Sequence, residues 1–220
     1  MKQILIYCEG QTEESFVNEV LRPYMLPMDI QVTPIVCTTK RTDNETFKGG
    51  VSTYTKVKSE LAWLCQQNPD KLVTTMFDYY RMPSNTPLIW DDSEDLYVRM
   101  NKIERAVEED IGWRNLVFHL MLHEFEALLY SDPAAFAAVA DKHVVQRIAG
   151  IREEYPNPEY INNSVLTAPS KRLIRAFKPR SYAKVRYGTL VAQRTGLEVI
   201  LRECRHFREW VELMLGSWTE

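Results

Sequence analysis

Three short stretches place acidic side chains where strands should stop. Glu9 and Glu13 flank Gly10 in Ile4-Leu5-Ile6-Tyr7-Cys8-Glu9-Gly10-Gln11-Thr12-Glu13-Glu14-Ser15-Phe16, and Asp78 closes Leu72-Val73-Thr74-Thr75-Met76-Phe77-Asp78. His123-Glu124-Phe125-Glu126 follows the apolar run 115–122. Carboxylates that share a pocket are costly to bury unless a hard divalent cation, which prefers oxygen ligands, lies among them. Each acid also has a simpler use. Glu13 and Glu14 complement the positive end of a helix, and Asp78 could cap a turn. Asp132 before Pro133 reads as a helix cap.

The acids act together only if their elements carry them to one edge. Residues 3–7 form a short β-rich run halted at Gly10, a buried strand; Thr12 then reads as an N-cap, with Phe16, Val17, Val20 and Leu21 at helical spacing. Pro23 and Pro27 should end that regularity. Residues 30–37 alternate as a second strand, which Pro34 places at or near a sheet edge. The polar segment 38–50 reads as a solvated loop and 51–67 as a helix with one buried stripe. Leu72–Asp78 is a third strand. Ser93 is expected to cap a helix to about Asp110, with Glu104, Glu108 and Glu109 mostly on a solvated face. Residues 115–122 read as a fourth strand, in which His119 is expected to be a hydrogen-bonded buried histidine. Crossovers of this length imply parallel, right-handed connections, so Glu9, Asp78 and the acids after residue 122 should fall on one sheet edge. If Glu124 begins a short helix, it and Glu126 point apart, and one of the two enters the pocket.

A chain of 220 residues can bury a sizeable core. It reads as one domain, with an α/β part over 1–133 and a helical extension over 134–220 packed on the same core. The net charge of −3 supplies no global pull toward nucleic acid, so any such contact must be local or come from a partner. No apolar run reaches the roughly 18 residues of a membrane span, and no signal-peptide pattern opens the sequence, so a cytoplasmic location is expected. The four cysteines form no CxxC pair and read as small buried thiols. The one basic concentration is Lys171, Arg172, Arg175, Lys178, Arg180, Lys184 and Arg186, seven cations in sixteen residues. Phe177, Tyr182 and Tyr187 are interleaved with it, as in a phosphate track, although exposed helix faces would show the same pattern.

Glu9-Gly10-Gln11-Thr12-Glu13, the strand-end Asp78, the segment from His123-Glu124-Phe125-Glu126-Ala127-Leu128-Leu129 to Asp132-Pro133, and Ala168-Pro169-Ser170-Lys171-Arg172 together resemble a bacterial family with a Toprim-like fold. That family is similar to the nuclease domain of the overcoming-lysogenization-defect (OLD) proteins, and the resemblance covers nearly the whole chain. It implies an α/β fold: a mostly parallel sheet of about four strands flanked by helices, with a helical C-terminal portion. It also implies Mg²⁺ or Mn²⁺ held for phosphodiester cleavage. Matched by position, Glu9 is the Toprim glutamate, Glu13 the second acid of the OLD-like pattern and Asp78 the first Asp of Asp-x-Asp. The sequence departs at Tyr80, where the second Asp should stand, and Glu124 or Glu126 is the candidate replacement. Lys171 is expected as general base or transition-state cation and His123 as proton shuttle. Lys171, Arg172, Arg175, Lys178 and Arg180 would contact nucleic acid, DNA in the first place. A neighbouring ATPase partner is implied by analogy, as in phage defence. The rival expectation is a Toprim-derived regulatory or docking module for such an ATPase; a weaker one is another phosphotransfer at the same site. No GxxxxGK[ST] loop is present, so any ATP dependence would come from elsewhere.

Overall fold

The computed structural model describes residues 1–37, 53–79, 82–83, 86–87, 94–161 and 167–216. The polar segment 38–50, Tyr80 and Ser93 lie outside the described residues.

Strand β1 (Lys2–Cys8) alternates its side chains between two apolar layers, and this alternation organises the molecule. Ile4, Ile6 and Cys8 face one cluster; Leu5 and Tyr7 face the other. The chain leaves β1 through Gly10, which caps helix α1 (Gln11–Phe16). Thr12 is not the cap: Glu14 N–H closes the first turn on Gly10 O (3.1 Å), which draws Thr12 inside the helix and buries it. The helix does not stop at Pro23 either. A π-helical segment, Val17–Leu21, runs directly into α2 (Arg22–Met25), and the widened turn accommodates a residue without an N–H.

Strand β2 (Ile30–Val36) pairs parallel with β1, Ile4 lying opposite Val32, and forms the sheet edge that Pro34 requires. Helix α3 (Tyr54–Gln67), capped by Thr53, leads to β3 (Leu72–Asp78), which pairs parallel with the other side of β1. Helix α4 (Leu96–Ile111) follows. Its cap is Asp95, whose carboxylate accepts from Tyr97 N (3.0 Å) and also from the Tyr160 hydroxyl (3.2 Å). Asp95→Ala removes both, and an expected loss of about 1–2 kcal/mol can be read from a urea midpoint at unchanged slope.

The fourth strand is broken. β4 (Leu116–Val117) and β5 (Leu120–Met121) both pair parallel with β3, separated by Phe118 and His119. Side chains take over the ladder at the break: Thr75 Oγ1 accepts from His119 N and donates to His119 O, at 2.8 and 2.7 Å. Glu108 accepts from Phe118 N and Glu104 from Leu120 N, both at 2.8 Å. The sheet thus has five parallel strands, in the order β2-β1-β3-β4 with β5 beside β3. Beyond it come two 3₁₀ segments, Phe125–Ser131 and Pro133–Ala138, the latter capped by Asp132 as its Pro133 suggested. Then follow α5 (Lys142–Glu153), α6 (Pro169–Phe177), α7 (Lys184–Thr195), α8 (Leu197–Glu203) and α9 (Arg205–Leu215).

Leu5, Tyr7, Val73 and Phe77 pack with residues of α3 and α4 on one sheet face. Ile4, Ile6, Cys8, Val32 and Met76 pack on the other with α1 and with residues of α5 to α9, in one cluster from Ile4 to Met214. The chain departs from β1 toward β2 on one side and returns to β3 on the other. The gap between the carboxyl ends of β1 and β3 is therefore the topological switch point, where open α/β sheets bind their ligands.

Candidate functional site

Glu9 directly follows β1 and Asp78 ends β3, so both stand in that crevice. Asp78 N–H donates to Glu9 Oε2 (3.3 Å), and Asp78 Oδ1 accepts from Phe125 N (2.9 Å). Glu13 occupies the third position of α1, and its Oε2 lies back over Gly10, 3.5 Å from where a Cβ on that glycine would stand. Glu13 thus stays near Glu9 and Asp78 rather than out in solvent, and only 4% of the residue is exposed.

The last approach is made by a γ-turn. His123 adopts φ 67°, and Glu124 N–H closes on Leu122 O at 3.0 Å. A left-handed conformation is uncommon for a non-glycine residue and costs of order 1 kcal/mol or more, so the packing around it must hold it there. The turn separates the two glutamates that follow. Glu124 Oε2 accepts from Ser170 N (2.9 Å), so it serves as a side-chain cap for α6, while its charge still bears on Glu126. Glu126 is fully buried, and its ion pair is with Lys184 Nζ (3.1 Å), at the first position of α7. Neither Glu126 oxygen takes a well-aligned hydrogen bond. Gly188, one turn further along α7, faces the 3₁₀ segment, and a Cβ there would make ordinary contacts with Phe125 at 3.4 Å and Leu129 at 3.7 Å.

The electrostatics follow from that packing. Burial, then the neighbouring Glu13 and Glu9, raise the Asp78 pKa well above the carboxylate range, against the pull of Lys184. Burial pushes Glu126 up to about 7 despite the Lys184 ammonium. Burial also raises Glu13, opposed mainly by Lys184. Burial works against the charge on Lys184, but Glu126, Asp78 and Glu13 outweigh it and keep it protonated. One ammonium thus serves several buried acids, a charge deficit that a divalent cation would fill. Glu9, Glu13, Asp78 and Glu126 offer only oxygen donors, the kind a hard cation prefers.

Lys184, not Lys171, is the lysine paired with these acids. Lys171 stands exposed on α6, as do Arg175 and, just beyond the helix, Lys178. Arg172 is engaged elsewhere: it donates to Thr167 O (2.9 Å), pairs with Glu154 (3.6 Å) and lies over the Tyr155 ring. Arg180 pairs with Asp141 at 3.1 Å. The basic run is therefore divided among an inward lysine, a packed arginine and an exposed set, a division that linear spacing does not reveal.

A second group was read wrongly from the sequence. Glu104, expected on a solvated face, is buried: its Oε1 lies 2.9 Å from His206 Nε2 and 3.3 Å from His119 Nδ1. His119 stacks on Trp210 (4.5 Å between centroids, 7° between planes), and Trp210 Nε1 donates to Thr74 Oγ1 at 2.8 Å. Burial lowers the His119 pKa to about 4, and burial is outweighed at Glu104 by hydrogen bonds from both imidazoles, which bring its carboxyl down to about 2. Among the described residues, Glu104, His119 and His206 are the group whose ligand atoms all lie within 4.8 Å of one another, as metal ligands must. The crevice acids are not drawn that close. No helix among the described residues is long and apolar enough to cross a membrane.

No curated protein and no solved structure matches this chain. Residues 8–215 match a family described as a domain of unknown function, DUF4276, and this span holds every acid of the crevice, Lys184 and the Glu104, His119 and His206 group. The chain therefore belongs to the DUF4276 family.

Proposed function

We propose that the chain is a divalent-cation-dependent phosphodiesterase acting on nucleic acid, in the manner of the Toprim and OLD-type nucleases that its sequence resembles. The observation that carries this reading is the convergence of Glu9, Glu13, Asp78 and Glu126, from separate segments, with Lys184 at the β1/β3 switch point. These carboxylates would hold Mg²⁺ or Mn²⁺, whose chemistry there is polarisation of a phosphoryl oxygen and acidification of water. Lys184 keeps its proton and offers a fixed positive charge to the phosphoryl group as negative charge builds in the transition state. His123, buried on the turn that follows β5, is the candidate to hand a proton to the leaving oxygen. Glu124 ties the start of α6 to the rim of the crevice. Lys171, Arg175 and Lys178 would then track the phosphates of a strand, DNA in the first place, entering beside it.

Calorimetric titration of Mn²⁺ and Mg²⁺ into the wild-type chain and into Asp78→Asn tests this, followed by cleavage of DNA and RNA. Saturable binding that Asp78→Asn loses supports it; cleavage unaffected by that substitution refutes it. The two glutamates after β5 separate in the same assay. Glu124→Ala is expected to cost about 1–2 kcal/mol by uncapping α6 while leaving Mn²⁺ affinity within about twofold of wild type. Glu126→Gln is expected to weaken Mn²⁺ by at least about tenfold.

A second reading is favoured by the depth of the acids, of which Asp78 is 2% exposed and Glu126 not at all. Together with Tyr80 at the usual Asp position, it makes the chain a Toprim-derived docking or regulatory module for an ATPase partner. Copurification with such an ATPase, without cation binding by the isolated chain, would favour it.

A further inference from the structure

The crevice leaves one cluster of ligand-type side chains unused, at the opposite edge of β3. Glu104 comes from α4, His119 from the break between β4 and β5, and His206 from the first turn of α9. A chain that needed only a buried carboxylate to hold the broken strand would require Glu104 on Leu120 N and nothing more. Instead two imidazoles converge on the same oxygen, at 2.9 and 3.3 Å. The edge of a tetrahedron with metal–ligand bonds of about 2.0–2.1 Å is roughly 3.3 Å, so these separations already suit a small ion and little movement is needed to admit one.

The surroundings are those of a prepared ligand set. Leu120 N–H holds the Glu104 oxygen at 2.8 Å, and Trp210 fixes the plane of the His119 ring by stacking on it. His206 N–H is fastened to Glu159 Oε2 at 3.1 Å, which orients the turn that carries its imidazole. His119 Nε2, the ring nitrogen that does not face Glu104, is buried with no hydrogen-bond partner, so stacking rather than a hydrogen bond holds that side of the imidazole. All three side chains also line one cavity of about 230 Å³, which Glu108, Glu209 and Arg105 border. It provides an entry path and room for water in a fourth position.

We propose that Glu104, His119 and His206 form a binding site for a borderline transition-metal ion, Zn²⁺ by its nitrogen and oxygen donors, separate from the acids of the crevice. Two imidazoles and one carboxylate are poor ligands for Mg²⁺ and good ones for Zn²⁺ or Co²⁺. Three protein ligands facing a cavity leave one coordination position to solvent, as an open rather than a closed site does. The proposal is independent of whether the crevice binds Mg²⁺.

The test uses the full chain stripped with a chelator and titrated with Zn²⁺, and with Co²⁺ as a spectroscopic substitute. One Zn²⁺ per chain is expected, with Mg²⁺ unable to displace it, and Co²⁺ should give the intense visible bands of a four-coordinate site. His206→Gln and Glu104→Gln should each weaken Zn²⁺ by at least about 100-fold, while Asp78→Asn keeps wild-type affinity. Absence of Zn²⁺ binding overturns the proposal, and so does binding that Asp78→Asn abolishes and His206→Gln spares. Should the buried variants fail to fold, the wild-type Co²⁺ spectrum decides: weak bands of an all-oxygen, six-coordinate ion would refute the site.

Discussion

Asp78→Asn is expected to abolish cation binding in the crevice and to lower phosphodiester cleavage by about 10³-fold or more, since loss of the cation's charge stabilisation is worth several kcal/mol of barrier. The substitution is well suited to the question because it changes charge while sparing structure. Asp78 Oδ1 accepts from Phe125 N at 2.9 Å, and an asparagine carbonyl oxygen can accept the same bond. The sign of the stability change separates a functional acid from a structural one. In chelator, Asp78 is buried among Glu9, Glu13 and Glu126, which raise its pKa after burial itself. Removing one of these repelling charges should leave the cation-free chain at least as stable as wild type. With Mn²⁺ the order reverses, because only the wild type gains the stabilisation that binding to the native state confers. Thermal melts in chelator and in Mn²⁺ give both halves; a variant that melts lower than wild type in chelator would make Asp78 a structural residue.

Lys184→Met should be the most damaging single change at the crevice. Removing one partner of a fully buried ion pair typically costs about 3–5 kcal/mol, because the other charge is left without compensation. Glu126 is fully buried but the Lys184 side chain is 34% exposed, so water shares in its screening and about 2–3 kcal/mol is expected. Adding Glu126→Gln should restore most of this loss, since the stranded charge is then gone. A double-mutant cycle by urea denaturation is expected to show a coupling of about 1–3 kcal/mol, and a value below about 0.5 would mean that the pair contributes little. Cleavage should fall in both single variants and stay lost in the double variant, because restored folding does not restore the positive charge offered to the phosphoryl group.

The parts of the crevice that were legible in the sequence are those set by local grammar. Glu9 and Asp78 were placed by short β-rich runs that end in an acid, and parallel crossovers brought them together. The choice between Glu124 and Glu126 was not legible, since it depends on the γ-turn at His123, and histidine, though enriched at positive φ, adopts it too rarely for its type to announce one. Lys184 was visible only as one member of a basic run. Its partner Glu126 lies on a different element, and the packing of α7 on the 3₁₀ segment that joins them is a tertiary contact that spacing along the chain does not encode. Glu104 was misread because a carboxylate beside Glu108 and Glu109 on an amphipathic helix usually faces water. The break at Phe118 and His119 overturned that, by leaving two N–H groups for Glu108 and Glu104 to accept. A continuous strand had been expected because the apolar run gives no sign of interruption.

The packing of one sheet face by both ends of the chain bears on the order in which the molecule assembles. Trp210 reaches back across 136 positions to hydrogen-bond Thr74, and Ile4, Ile6 and Cys8 share their cluster with Val191, Phe207 and Met214. Contacts of such long sequence separation are slow to form, because the loop between them must be closed before they reward it. During synthesis the acid-bearing strands emerge first, without the lysine that offsets their charge and without the helices that cover one side of their sheet. A crevice built this way is incomplete in the nascent polypeptide, and its acids and their lysine come together only as the core is completed.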